Sequence, residues 1–247
     1  MKLHIESDRT LIRSASSSTR YVRVSFTAPD GAITGLLGPN GAGKTTTLRM
    51  ISALLAPTHG QALVDGIDAG ARPIEARARM GALSDARGIY TRLTARENIT
   101  YYGQLRGMSP PAIETAIARL ALWLDLQPVL DRRTDGFSQG ERMKVAIARA
   151  LVHDPPNVLL DEPTNGLDVM TTRSLREVMR RLREAGKCVV FSSHVMQEVS
   201  ALCDSIVIVA RGSVVASGTA AQLLEASGRD NLEDAFVHLA GTEAPAA

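Results

Sequence analysis

The sequence predicts an α/β fold with a mainly parallel sheet, and two features of the chain support this. In the second half, amphipathic helical segments alternate with short apolar segments of strand length, namely Val158–Leu160, Cys188–Phe191 and Ile206–Val209. Such alternation places crossover helices between parallel strands. Nearer the N-terminus, a glycine-rich loop separates the apolar strand Ala32–Leu37 from the helix Lys44–Leu55.

The composition is that of an ordinary globular protein. The chain has 247 residues, of which 45% are apolar and 22% charged, so one large domain with a sizeable core is expected. A net charge of +2 is too close to zero to indicate nucleic acid as the main partner. Cys188 and Cys203 lack the spacing of a metal site and suggest a reducing compartment.

No targeting or membrane-spanning segment is expected. Residues 1–20 are polar and lack the apolar core of a signal peptide. No apolar run reaches the roughly 18 residues that a membrane-spanning helix requires. The sequence therefore predicts a cytoplasmic protein whose membrane role, if it has one, depends on a partner.

The predicted organisation is a single domain, residues 1–247. Its core comprises about residues 1–85 and 153–220, and it opens with an antiparallel β part that contains the alternating strand Tyr21–Phe26. A helical subdomain of about residues 86–152 interrupts the core. A helical tail of about residues 219–247 follows it.

Three helix starts are predicted from their capping residues. Thr94 and Glu97 have the spacing of a capping box. Ser109 precedes a proline, which is favoured in the first turn of a helix. Ser138 precedes a third helix that has apolar residues on one face.

The glycine loop has the residues that a nucleoside triphosphate needs. Glycines allow the backbone amides to turn toward phosphate groups, and the helix that follows contributes its dipole. Lys44 is placed to meet the terminal phosphates, and the hydroxyl of Thr45 to ligate Mg²⁺. The order strand, loop, helix predicts a P-loop NTPase core. The predicted nucleotide-binding residues of this loop are Gly38, Pro39, Asn40, Gly41, Ala42, Gly43, Lys44, Thr45 and Thr46.

Two acids and a histidine follow neighbouring apolar strands. Asp161 ends a buried strand, where a carboxylate is costly unless it is paired, and Mg²⁺ would pair it. Glu162 can polarise an attacking water. His194 follows the next strand and could contact the γ-phosphate or support Glu162. The alternatives are a structural acid pair and an ordinary loop histidine.

Five motifs in one order resemble the ATP-binding subunit of an ABC transporter. They correspond to its Walker A, signature, Walker B, D-loop and H-loop motifs, and they span most of the chain, from about Val22 to Gly218. In this chain the motifs are Gly38–Thr45, Phe137–Glu141, Leu159–Pro163, Gly166–Asp168 and Ser192–His194. The segments Ser84–Tyr90 and Arg92–Asn98, together with the ending Asn231–Leu239, resemble the bacterial sodium-exporter (NatA-like) branch.

The resemblance implies partners and further site residues. In such proteins two ATP-binding subunits pair head to tail around ATP and Mg²⁺, so a homodimer is expected here. Ser138 and Gly140 would face the γ-phosphate that the other subunit's Lys44 holds, and Asp168 would link the two sites. The helical subdomain would meet an integral membrane permease, which predicts a peripheral location on the inner face of the cell membrane. Glu162 and His194 would be the catalytic residues.

The chain departs from the family pattern at three places. Asp85 stands where a glutamine is usual, and it is either a ligand of Mg²⁺ or of its water, or a solvated loop acid. The signature motif retains Ser138 and Gly140 but lacks one of the two usual glycines. The aromatic residue expected to stack on adenine is absent between Ile5 and Arg20, which leaves Tyr21 as the nearest candidate.

Two other functions agree less well with the sequence than a transporter ATPase does. A soluble ABC ATPase acting on nucleic acid or ribosomes would need a long coiled coil or a second cassette, and this chain has neither. Its charge also argues against nucleic acid, so no nucleic acid partner is expected. A binding-only regulator is disfavoured because Asp161 and Glu162 are both present.

Overall fold

A computed structural model of the chain describes residues 2–12, 20–83 and 88–242. The described strands are β1 (Lys2–Ile12), β2 (Arg20–Pro29), β3 (Ile33–Leu37), β4 (Gln61–Val64), β5 (Ile67–Asp68), β6 (Met80–Leu83), β7 (Asn157–Leu160), β8 (Cys188–Ser193), β9 (Ser205–Ala210) and β10 (Ser213–Gly218). The described helices are α1 (Lys44–Ile51), α2 (Pro73–Ala78), α3 (Ala95–Leu105), α4 (Pro110–Trp123), α5 (Gln139–Leu151), α6 (Val169–Glu184), α7 (Met196–Leu202), α8 (Ala220–Ser227) and α9 (Leu232–Thr242). Short 3-10 turns cover Gln127–Val129 and Thr134–Gly136.

The predicted parallel sheet is confirmed. Strands β6, β7, β8, β3 and β9 lie side by side in this order, and each neighbouring pair is parallel. Every residue of β3, β7 and β8 is buried, as expected for strands that are covered on both faces. The carboxyl ends of β3, β7 and β8 therefore meet at one edge of the sheet.

The predicted N-terminal antiparallel part is also confirmed. β1 pairs with β2 on one side and with β4 on the other, and β4 pairs with β5, all antiparallel. Val24 and Phe26 of β2 are buried while Arg23 and Ser25 are exposed, which is the alternation that the sequence predicts. β10 joins this part to the parallel strands by pairing antiparallel with β9 and through the parallel pair of Ser213 with Arg23.

The hydrophobic core lies on both faces of the parallel sheet. Successive residues of a strand point to opposite faces, so Phe191 joins one cluster with the apolar faces of α3 to α6, and Val190 joins a second cluster beneath α1. Cys188 lies in the second cluster with 1% exposure. The two clusters fix the helices on either side of the strand ends that carry the predicted site.

Helix α1 is shorter than predicted. It ends at Ile51, whereas the apolar pattern predicted a helix to Leu55. Ala53 adopts a positive φ of 55°, and the amides of Leu54 and Leu55 bond back to the carbonyl of Arg49. Leu54 is 56% exposed because it lies beyond the helix end. A left-handed residue terminates the helix here although the apolar spacing continues.

The three predicted helix starts of the middle segment are confirmed. Thr94 and Glu97 form a capping box at the start of α3, and Ser109 precedes Pro110 at the start of α4. Ser138 caps α5 in a second capping box. α3, α4 and α5 pack on one another, and the boundary of a helical subdomain at about residues 86–152 stays a prediction.

The predicted tail forms two helices. Thr219 caps α8, and Gly228 ends it with a positive φ of 63°. α9 packs against α7, β9 and β10, with Leu232 and Ala235 buried. Within residues 2–12, 20–83 and 88–242, none of the helices has the length and apolar character needed to span a bilayer.

Candidate nucleotide-binding site

The glycine loop follows β3 and leads directly into α1. A side chain at Gly38 would overlap the backbone oxygen of Val209, so only glycine fits there. Gly41 and Gly43 have φ values of 81° and 109°, in the region that glycine adopts without strain. The backbone conformation of the loop therefore favours glycine at positions 38, 41 and 43.

The start of α1 is open to an anion. Gly43 caps the helix in a left-handed conformation without a side-chain hydrogen bond. Thr45 and Thr46 in the first turn are partly exposed, and no acidic residue is present in that turn. The first amides and the positive end of the helix dipole therefore face outward, as in sites that bind phosphate.

Lys44 is buried at this position, with 5% of its side chain exposed. Its ammonium group donates hydrogen bonds to the carbonyls of Gly38, at 2.6 Å, and of Pro39, at 3.2 Å. The same nitrogen lies 3.1 Å from Oε1 of Glu162. The carbonyls hold the lysine against the loop, and Glu162 balances its charge.

Asp161 follows β7 and lies next to the loop. Its Oδ1 accepts hydrogen bonds from Thr45 Oγ1, at 3.2 Å, and from Ser192 Oγ, at 2.6 Å. Ser192 Oγ also accepts the amide hydrogen of Glu162, at 2.9 Å. The hydroxyl at the end of β8 therefore fixes both acids, a role that the sequence analysis did not assign to Ser192.

Glu162 connects the loop lysine with His194. Its backbone has a positive φ of 46°, which is uncommon for a residue other than glycine and is a form of strain often found at functional sites. Oε2 lies 2.8 Å from His194 Nδ1. Oε1 is buried and has no hydrogen-bond partner among the described residues, although Lys44 lies close to it. This oxygen is available to accept a hydrogen bond from a further group.

Thr45 and Asp161 are the two predicted metal ligands that the structure brings together. Within the described residues, His, Cys, Asp and Glu side chains form no group of three that could hold a metal ion. A hydroxyl paired with one carboxylate suits Mg²⁺, which keeps several waters and is usually completed by substrate phosphates. The donor set therefore fits Mg²⁺ bound with a nucleotide.

The signature residues make local contacts at the start of α5. Ser138 Oγ accepts the amide hydrogen of Glu141, at 3.2 Å, and the Glu141 carboxylate accepts the amide hydrogen of Ser138, at 2.7 Å. A side chain at Gly140 would meet the hydroxyl of Thr171 at 2.9 Å, so this glycine allows α5 to approach the start of α6.

Asp168 is exposed and caps α6. Its carboxylate accepts hydrogen bonds from the amide of Thr171, at 2.9 Å, and from the Thr171 hydroxyl, at 2.7 Å. These bonds, the one from the amide first, lower the pKa of Asp168. Val169 and Met170, which follow it, are 82% and 72% exposed. Gly140 and Asp168 therefore both lie against Thr171.

Two predicted residues lie outside what the structure describes. Asp85 falls in the undescribed residues 84–87, so its two alternatives both remain. The backbone of Tyr21 lies in β2, and its side chain is outside the described part.

The chain matches a known protein family. The family model described as ABC transporter matches residues 21–165. The chain belongs to the ABC transporter family. This membership confirms the predicted P-loop fold, the predicted ATP-binding subunit of a transporter and the predicted ATPase.

Individual ABC proteins are similar over most of their length. The ABC transporter ATP-binding protein NatA of Bacillus subtilis (strain 168) is 44% identical over 215 residues, which are 87% of this chain and 87% of that protein. The linearmycin resistance ATP-binding protein LnrL of the same organism is 34% identical over 209 residues, 85% of this chain and 67% of that protein. Neither relative supports an ABC ATPase acting on nucleic acid or ribosomes.

Solved ABC structures share the fold. A structure of an ATP-binding subunit of an ABC transporter superposes with a TM-score of 0.85 at 28% identity, covering 97% of this chain and 99% of that chain. A dimeric ATP-binding cassette in a post-hydrolysis state, bound to ADP and Pi, gives 0.78 at 24% identity, covering 88% and 98%. At that identity, the second similarity extends to the fold alone.

Proposed function

We propose that this chain is the ATP-hydrolysing subunit that powers an ABC membrane transporter, with Glu162 and His194 as its catalytic residues. The observation that carries the proposal is the continuous contact from Lys44 through Glu162 to His194 beside the glycine loop. These three groups come from the ends of three neighbouring parallel strands, where α/β sheets bind their ligands.

The loop residues would bind the triphosphate. The amides from Gly41 to Thr46 would surround the phosphates. The ammonium group of Lys44 would leave the Glu162 carboxylate and contact the terminal phosphates instead. Thr45 and Asp161 would hold Mg²⁺, which supplies charge neutralisation on the phosphates when bound.

Glu162 would orient the attacking water. Its buried Oε1 has the acceptor capacity to polarise a water once Lys44 has turned to the nucleotide. His194 would hold the other oxygen of the same carboxylate and reach toward the γ-phosphate with its exposed edge, since the side chain is 40% exposed.

The partners follow from the signature residues. Ser138, Gly140 and Asp168 would act on the nucleotide held by a second copy of the chain, which makes a homodimer the working form. An integral membrane permease would respond to the closing and opening of this dimer and would select the substrate. The ATP-binding subunit would lie on the inner face of the membrane. The resemblance to the sodium-exporter branch makes sodium the first ion to test.

Glu162→Gln tests the catalytic role. The amide cannot act as a base, so Mg-dependent ATP turnover should fall by at least about 100-fold, while ATP binding, measured by equilibrium titration, should persist. Size-exclusion chromatography with ATP should then show an accumulated dimer. Undiminished turnover in this variant would overturn the function proposed for Glu162.

A further inference from the structure

A buried carboxylate lies behind the candidate catalytic pair. Glu198, in the first turn of α7, is 7% exposed. Its Oε2 accepts two hydrogen bonds, one from Thr164 Oγ1 at 2.6 Å and one from Ser193 Oγ at 3.2 Å. Both donors are themselves buried, Thr164 at 9% exposure and Ser193 at 1%. A single oxygen therefore joins two separate loops in the interior.

These two loops carry Glu162 and His194. Thr164 lies two residues after Glu162, and Ser193 immediately precedes His194. Ser193 Oγ also accepts the amide hydrogen of Val195, at 3.0 Å, so the backbone is fixed on the far side of His194 as well. Glu198 Oε2 thus joins the two segments on the far side of Glu162 and His194 from the bridge that Ser192 makes to Asp161 and to the Glu162 amide.

The catalytic side chains need such support because they are less buried than their anchors. The side chains of Glu162 and His194 are 20% and 40% exposed, and they meet at 2.8 Å. A contact at this distance between partly solvated side chains depends on how firmly their backbones are held. The other Glu198 oxygen, Oε1, lies 3.7 Å from Arg176 of α6, which compensates the buried charge.

We propose that Glu198 is a positioning residue for ATP hydrolysis. It holds the loop of Glu162 and the loop of His194 at the spacing at which these two side chains meet, without touching nucleotide itself. This inference rests on the proposed roles of Glu162 and His194. It predicts a loss in kcat with unchanged ATP affinity, because the glycine loop and Lys44 are held by β3 and α1.

The primary test compares Glu198→Leu with Glu198→Gln. Leucine removes the acceptor and leaves the hydrogens of two buried hydroxyls without this partner, so kcat should fall about tenfold. Affinity for a non-hydrolysable ATP analogue should stay within about twofold. Glutamine keeps a carbonyl oxygen that can accept from both hydroxyls, so kcat should return to within about threefold of wild type.

A further variant, Thr164→Val, keeps the test decisive if Glu198→Leu does not fold, and a double variant sharpens it if Glu198→Leu folds. Thr164→Val removes one donor with little change in volume, and it should lower kcat severalfold at unchanged affinity. Combined with Glu198→Leu, it should add almost no further loss, since both changes break the same contact. Glu177→Gln is the matched control, because Glu177 is an exposed acid of α6 that pairs with Arg180 and Arg181. It should behave as wild type.

The outcomes separate the inference from the proposed function. Wild-type kcat in Glu198→Leu and Thr164→Val would overturn the inference. So would a parallel loss of kcat, analogue affinity and thermal midpoint that Glu198→Gln does not rescue, because that pattern assigns Glu198 to fold stability. If Glu162→Gln abolishes turnover while the Glu198 series has no effect, only the inference fails. If Glu162→Gln remains active, the proposed function fails first.

Discussion

Two regions of this chain are built in different ways. The nucleotide end is the region of the glycine loop, Glu162 and His194, and the signature end is the region of Ser138 and Asp168. At the nucleotide end, Glu162 contacts both Lys44 and His194, and the three groups follow three different strands. At the signature end, Ser138 and Asp168 direct their polar atoms to the starts of their own helices, α5 and α6. The proposed catalytic pair is therefore held within one chain. The contacts of Ser138 and Asp168 are local, which agrees with the proposal that these residues act on the nucleotide of a second copy.

Ser138→Ala should have the largest effect on ATP turnover among the variants that test this comparison. In the structure the Ser138 oxygen accepts a hydrogen bond, which leaves its own hydrogen free to donate to a phosphate. Removing this donor should lower ATP turnover by about 100-fold. The loss of the cap should also lower the free energy of unfolding by about 1 kcal/mol.

Thr94→Ala is the matched control for Ser138→Ala. Thr94 forms the same capping box at α3, where the sequence predicts no nucleotide contact. Chemical denaturation should show a similar loss of stability in both variants, and an ATPase assay should show a loss in Ser138→Ala alone. Equal turnover in the two variants would show that Ser138 serves only as a helix cap.

Asp168→Asn should have a small, pH-dependent effect on stability. Asparagine caps a helix as well as aspartate does, so the variant should fold normally. The bonds from Thr171 lower the pKa of Asp168 in the folded state. The resulting stabilisation is fully present above the unfolded pKa of about 4 and is lost as pH falls through the lower folded value.

Thermal unfolding across pH measures this effect. The midpoint of wild type should exceed that of Asp168→Asn by about 2 °C or less near pH 7. The difference should shrink as the pH falls below about 4. A difference that stays constant or grows on acidification would contradict a charge-dependent role for Asp168 at the start of α6.

The sequence predicts local features of this protein well. Some features depend only on residues that are close in sequence, so the sequence pattern predicts them. These are the glycine loop, the capping boxes at Thr94 and Ser138 and the buried strand before Asp161. The apolar spacing that predicts a helix as far as Leu55 is also local, but this spacing carries no information about the left-handed conformation of Ala53.

Contacts between distant residues could not be predicted in the same way. Thr164 and Glu198 are 34 positions apart, and they meet only because β7 and β8 lie side by side. The bridge that Ser192 makes between Asp161 and the amide of Glu162 has the same origin. The serines before His194 offered the one available signal, since hydroxyls at the end of a buried strand need partners.

The central claim is that one chain cannot complete a catalytic site alone, and paired inactivating variants test it most directly. Lys44→Ala disables the nucleotide end, and Ser138→Arg disables the signature end. Each variant alone should be inactive. A heterodimer of the two, isolated through a different affinity tag on each chain, should contain one intact site, formed by Lys44 of one subunit and Ser138 of the other. It should therefore recover about half of the wild-type ATP turnover. A purified heterodimer as inactive as its parents would contradict the account.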